Sequence, residues 1–204
     1  GPGNYITMAK SVALANSIVG QEAVQKRSFI LAHGSSTPQN RVTESIIYDR
    51  VAKAFNIDNW KLAAPKAFVG HTIGPASGDQ MAMALGIFSQ NIMLGITTIN
   101  KVADDVFAHR LDIRTEHYAC ESQDIAFINS KGFGGNNATA PMFSASVTLD
   151  MLTKRHGETA MANYRDKLTT TKQQQAAYTD AANSGDYQLI YRFGDGLIDE
   201  DEIE

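Results

Sequence analysis

Cysteine is nearly absent from this chain: Cys120 is the single one in 204 residues, so no intrachain disulfide framework exists. No run approaches the ~18 apolar residues that a membrane span needs. The N-terminus also lacks the charged-then-apolar pattern of a secretory leader. Together these point to a reducing compartment, and the cytoplasm is the expected location. An excess of positive charge is missing too. Formal net charge is −4, from 18 basic and 22 acidic residues, and five of the acids fall in the closing "DEDEIE". Without that tail the charges nearly balance, so no basic field argues for nucleic acid. No internal repeat is visible, and 43% apolar content suits one soluble α/β unit.

Periodicity supplies the elements. Tyr5, Met8, Val12, Ala15 and Val19 follow helical spacing, with Asn4 as N-cap and Gly20 as stop. "SFILAHG" (28–34) reads as a short buried strand. Thr37-Pro38 opens a helix through Val42, Ile46, Val51 and Phe55, since proline at the first helical position needs no N–H partner. "WKLAAPK" is a second strand, followed by a helix carrying Met81, Leu85 and Phe88. Strand-like stretches follow near 92–100, 112–118 and 124–130. Helices alternating with strands predict a layered α/β architecture over residues 1–150. Residues 151–204 are polar and helix-prone, and read as a helical extension ending in "YQLIYRF" and an acidic tail.

Three stretches carry unusual chemistry: His33 in "HGSSTP", Lys66 and His71 in "PKAFVGHTIGPASG", and Phe133 in "NSKGFGGNNA". Each follows a strand, and strand ends are where open α/β sheets assemble sites. Singly, each has a plain reading: a turn, a solvated lysine, a sharp glycine bend. As a phosphate loop, "GFGGNN" is weak because the lysine and hydroxyl are missing. In this order and spacing, however, the three resemble the C-terminal half of β-ketoacyl-(acyl carrier protein) synthases, condensing enzymes of the thiolase superfamily, over roughly residues 5 to 150.

The resemblance implies one αβα half of the thiolase-like fold, with a mixed five-stranded sheet. It implies His33 and His71 as the catalytic histidines, Lys66 as the lysine before the second, and Phe133 as the gate whose backbone N–H serves an oxyanion hole. Ser35, Thr37 and Gly134 are the implied substrate-binding positions, facing the phosphopantetheine arm of an acyl carrier protein. The implied reaction decarboxylates a malonyl thioester and joins the carbanion to an acyl chain held on cysteine. Two imidazole donors aimed at the enolate oxygen stabilise it by about 3 kcal/mol each, and an ammonium nearby strengthens the field. No metal or tightly bound cofactor is expected.

The match breaks at the nucleophile. Cys120 lies after both histidines and without the small-residue context of a nucleophile elbow, so we read it as structural. The cysteine is expected from a missing N-terminal half, whether the chain was cut from a longer enzyme or belongs to a split one. Arg41 stands where the family has an aspartate, and Gln80 where it has a glutamate that partners the lysine. A carrier protein, the N-terminal half and a homodimer are the expected partners, with Arg41, Arg50 and Lys53 as guesses for carrier docking. The helix in "GPASGDQMAMALG" is the candidate face for packing on another half. A non-catalytic thiolase-fold subunit is the alternative reading. A hydrolase built on Cys120 and a metal site on the two histidines are weaker ones.

Overall fold

Four successive buried residues, Ser28–Leu31, form strand β1 at the centre of a mixed sheet. The computed structural model describes residues 2–186 together with 194, 196 and 198. Helices α1 (Pro2–Val19) and α2 (Gln21–Lys26) precede β1. After it come α3 (Pro38–Phe55), β2 (Trp60–Ala63), the one-turn α4 (Lys66–Val69) and α5 (Ala76–Gln90). Short strands β3 (Ile92–Met93), β4 (Leu111–Asp112) and β5 (Tyr118–Ala119) lead to β6 (Ile125–Lys131) and β7 (Asn137–Phe143). The main sheet has the order β4-β2-β1-β6-β7. All its pairs are parallel except β6 with β7, and β3 and β5 form a separate antiparallel pair.

Parallel strands at the middle of a sheet need cover on both faces, and the side-chain period of two supplies it. Ile30, Ile125 and Phe127 point into one apolar cluster with Met8, Val12 and Ala15 of α1 and Ile47 and Val51 of α3. Phe29, Leu31 and Ala126 point the other way, against Ala84 and Ile87 of α5 and Met93. Trp60 is fully enclosed, and its indole N–H donates to Ser28 Oγ at 2.9 Å, so the largest core side chain leaves no polar atom stranded.

Several boundaries differ from those the sequence suggests. Asn4 does not cap α1: the helix begins at Pro2, and Asn4 is buried within it, accepting from Asn129 Nδ2. Gly20, at φ 85°, does follow the last helical residue. Thr37 caps α3 through its hydroxyl, with Pro38 at the first helical position. In α5 the buried positions are Ala76, Gln80, Ala84 and Ile87, whereas Met81 and Leu85 are 48% and 59% exposed. The stretch 94–110 contains no strand.

That stretch is instead tied to α3. Arg41, Ser45 and Asp49, spaced four residues apart on one helical stripe, bond to Asp105, the Phe107 N–H and the Arg110 N–H in turn. Helices α6 (Ala145–His156) and α7 (Glu158–Asn183) follow the sheet. The chain divides into two compact units, one ending at Met151 and one beginning at Leu152. Within the second, α7 is largely exposed along its length. "YQLIYRF" and the acidic tail lie outside the described residues.

Candidate active site

The chain leaves β1 at Leu31, and two residues later His33 is 7% exposed. Its ring nitrogen Nδ1 accepts the backbone N–H of Lys131, at the end of β6, at 3.2 Å. Its carbonyl accepts Lys66 Nζ at 2.6 Å. His71 lies beyond the short α4, more exposed, and its Nδ1 accepts the N–H of Ile73 at 3.0 Å. The two rings stand 5.3 Å apart between centroids, at 80° to each other.

A neutral imidazole carries one proton, and the ring nitrogen that accepts a hydrogen bond is not the one that bears it. With both Nδ1 atoms engaged by backbone N–H groups, each ring in its neutral form carries the proton on Nε2. His33 is held neutral by burial above all, and then by the charges of Lys66, His71 and Lys131, which push its pKa down to about 4. Burial also lowers the pKa of Lys66, against the opposing pull of Glu44 and Asp79.

Glu44 and its neighbours were not legible as site residues. Glu44 is buried in α3, and its carboxyl accepts from the Gly34 N–H at 2.9 Å, Asn40 Nδ2 at 2.8 Å and the Tyr48 hydroxyl at 3.0 Å. It thereby fixes the residue after His33, where φ is +51° and a side chain is disfavoured. Burial raises the Glu44 pKa despite those three donors. Tyr48 Oη also meets Asn129 Oδ1 at 2.9 Å, which extends the network to β6. Lys131, besides serving His33, donates through Nζ to Asn40 Oδ1 at 2.6 Å. The one available signal was Glu44 and Tyr48 sharing a helix face with the apolar Val51 and Ile47.

Two cavities meet at His71. The smaller, about 270 Å³, has His33, His71, Ser77 and Lys131 in its wall. The larger, about 410 Å³, is lined by Ser35, Glu44, Lys66 and His71 and, across from them, by apolar residues of the 94–110 stretch such as Ile99 and Val106. Phe133 begins a single turn of 3₁₀ helix, Phe133–Gly135, between β6 and β7. Gly134 and Gly135 there have φ of +78° and +81°, backbone that favours glycine. Gly132 and Asn136, on either side of this turn, line the smaller cavity. Thr37 is exposed and lines neither cavity.

The two departures from the family's pattern find partners of their own. Gln80 does not partner Lys66: its Nε2 faces the carbonyls of Leu31, Ala32 and Asn129, while Lys66 turns to the His33 carbonyl. Arg41 is not a free cation, since it forms a two-pronged pair with Asp105, both contacts 2.8 Å. Cys120 follows β5, lines neither cavity, and has its thiol pKa raised by burial, opposite to the shift a nucleophile needs. Among the described residues no group of three or more histidines, cysteines or carboxylates stands close enough to hold a metal ion.

No family model matches the chain. It is 52% identical to the β-ketoacyl-[acyl-carrier-protein] synthase FabY of Pseudomonas aeruginosa, over all of this chain and 32% of that protein. The crystal structure of that noncanonical ketosynthase matches 98% of this chain with a TM-score of 0.92. The chain is homologous to the β-ketoacyl synthases. A second relative, the 3-oxoacyl-[acyl-carrier-protein] synthase 2 of Synechocystis sp., is 28% identical over 67% of this chain and 31% of its own length. A β-ketoacyl synthase from Burkholderia phymatum STM815 shares the fold, at 24% identity and a TM-score of 0.55 over 70% of this chain and 33% of its own. The chain thus spans about a third of the ketosynthases it matches, and its mixed five-stranded sheet is the thiolase-like sheet of those enzymes. Among the described residues no helix is long and apolar enough to cross a membrane.

Proposed function

We propose that this chain is the C-terminal catalytic part of a β-ketoacyl-acyl carrier protein synthase, joining a malonyl thioester to an acyl thioester with loss of CO₂. The observation that carries this reading is the tautomer of the two histidines: each Nδ1 accepts a backbone N–H, so each ring keeps Nε2–H as a donor. In the reaction the malonyl C–C bond breaks, CO₂ departs, and its electron pair passes to the thioester oxygen as an enolate. Two neutral donors suit that oxygen because they stabilise developing charge without surrendering a proton. The enolate carbon then attacks the acyl thioester, and a cysteine thiolate leaves.

The depressed pKa of His33 serves the role, since an imidazolium beside Lys66 and Lys131 would cost stability. Lys66 acts by fastening the His33 backbone and by its positive field. The backbone N–H of Phe133 is the proposed donor to the later tetrahedral oxyanion, with Ser35, Thr37 and Gly134 facing the phosphopantetheine arm. The cysteine comes from another segment, because Cys120 lines neither cavity and burial shifts its titration in the wrong direction. Acyl carrier protein and a second copy of the enzyme are the proposed partners.

The test is reconstitution with a polypeptide bearing the cysteine elbow, followed by measurement of CO₂ release from malonyl-carrier. His33→Ala and His71→Ala are each expected to lower the rate by about 10²-fold or more. Unchanged release in either variant refutes the reading.

A further inference from the structure

Gln80 is fully buried on α5, on the side facing the sheet. Its Nε2 lies 2.9 Å from the Leu31 carbonyl, 2.9 Å from the Ala32 carbonyl and 3.1 Å from the Asn129 carbonyl. Leu31 and Ala32 are the two residues before His33, and Asn129 is two before Lys131. The paired register of β1 with β6 ends at Leu31↔Ile128. Beyond that point the amide nitrogen of Gln80 reaches both chains at once. The next link between them is the bond from the Lys131 N–H to His33 Nδ1 at 3.2 Å. Gln80 Oε1, by contrast, has no hydrogen-bond partner among the described residues. A buried amide that leaves its oxygen unpaired to aim its nitrogen at three carbonyls is set by those carbonyls.

We propose that Gln80 is a positioning residue for His33: its amide joins the ends of β1 and β6, and so holds the Lys131 N–H on His33 Nδ1 and the ring proton on Nε2. The inference rests on the reading of His33 as an Nε2–H donor, and it assigns the choice of tautomer to a side chain that touches neither ring. Through Nε2 the amide offers its two protons to the three carbonyls. The groups facing the His33 ring are Lys66 from α4, His71 after it and Lys131 from β6, while Glu44 of α3 holds the adjacent Gly34.

The experiment is nitrogen NMR of the histidine rings in the full 204-residue chain, with stability followed alongside. In the unaltered chain His33 is expected in the Nε2–H form, titrating near pH 4. Gln80→Leu is expected to give a mixture of tautomers and to raise that midpoint by one unit or more. Gln80→Met keeps the length of the side chain without its donors and is expected to give the same mixture. A folded Gln80→Leu with the original tautomer and midpoint overturns the proposal, because a merely structural residue would lower stability without moving either. Failure of both variants to fold overturns it as well, by showing that the residue serves the whole sheet rather than one ring. If the unaltered chain shows His33 protonated on Nδ1, the proposed function falls first, and that outcome is separate from either result on Gln80.

Discussion

Removing the imidazole of His33 should flatten the acid side of the stability profile. In the folded chain the ring titrates at about 4, against 6.5 for a free histidine. A folded pKa below the unfolded one means that the unfolded chain binds more protons between those two values. Stability therefore falls as pH drops through that window and is intact above about 6.5. Integrating the linkage from pH 7.5 to pH 5 gives about 2 kcal/mol for an unscreened group. The ring borders a cavity open to water, so roughly 1 kcal/mol is the expected effect. Glu44 works in the opposite direction, because its raised pKa favours the folded state at acid pH. A single profile would mix the two. The comparison is therefore between the unaltered chain and His33→Asn, whose side-chain oxygen can still accept the Lys131 N–H. Urea midpoints at both pH values, converted with a shared slope, give the difference. His33→Asn should lose about 1 kcal/mol less on acidification. Equal losses in the two proteins would refute the claim that His33 is held neutral by its surroundings.

Two further outcomes follow from the packing. Tyr48→Phe removes the hydroxyl that lies between Glu44 Oε1 and Asn129 Oδ1 and leaves the buried oxygen that takes its one proton short of a donor. It should cost about 1–3 kcal/mol in urea unfolding, and a cost below ~0.5 kcal/mol would show the network to be incidental. At Gly95, a Cβ would fall 2.1 Å from the Glu116 carbonyl oxygen, a backbone atom that cannot turn aside as a side chain would. Gly95→Ala should therefore displace the start of the 94–110 stretch and break the bond from its own N–H to His117 Nδ1. Hydrogen exchange confined to residues 94–118 is the expected signature, and exchange unchanged there would count against the close approach.

What was readable in advance was whatever speaks through apolar spacing or turn chemistry. The first helix is visible because Met8, Val12 and Ala15 share one buried stripe. The third is visible at its start because Thr37-Pro38 is a cap followed by a proline needing no donor. The site histidines were legible through three motifs in a fixed order, each at the end of a strand. The polar interior was not. Glu44, Gln80 and Asn129 are buried, yet on a helix or strand such residues read as a solvated face, and only the folded chain shows which groups they satisfy. The apolar Met81 and Leu85 misled in the opposite sense: they sit at helical spacing, but small Ala84 is what lies against the sheet. Strand lengths between 92 and 119 were overestimated, because β-branched residues there serve an irregular wall rather than a ladder.

That wall hangs from α3 by three polar pegs, one per turn of helix. Beside these pegs its end is tied to the sheet, where the Trp60 N–H of β2 donates to the Arg110 carbonyl at 2.7 Å, while its middle has no such tie to the strand ends that carry His33. Residues ahead of the first peg, including Ile99 and Val102, line the larger chamber and can change in bulk and reshape it while strand registry stays as it is. Tuning for a longer or shorter guest would then need no rebuilding of the catalytic corner.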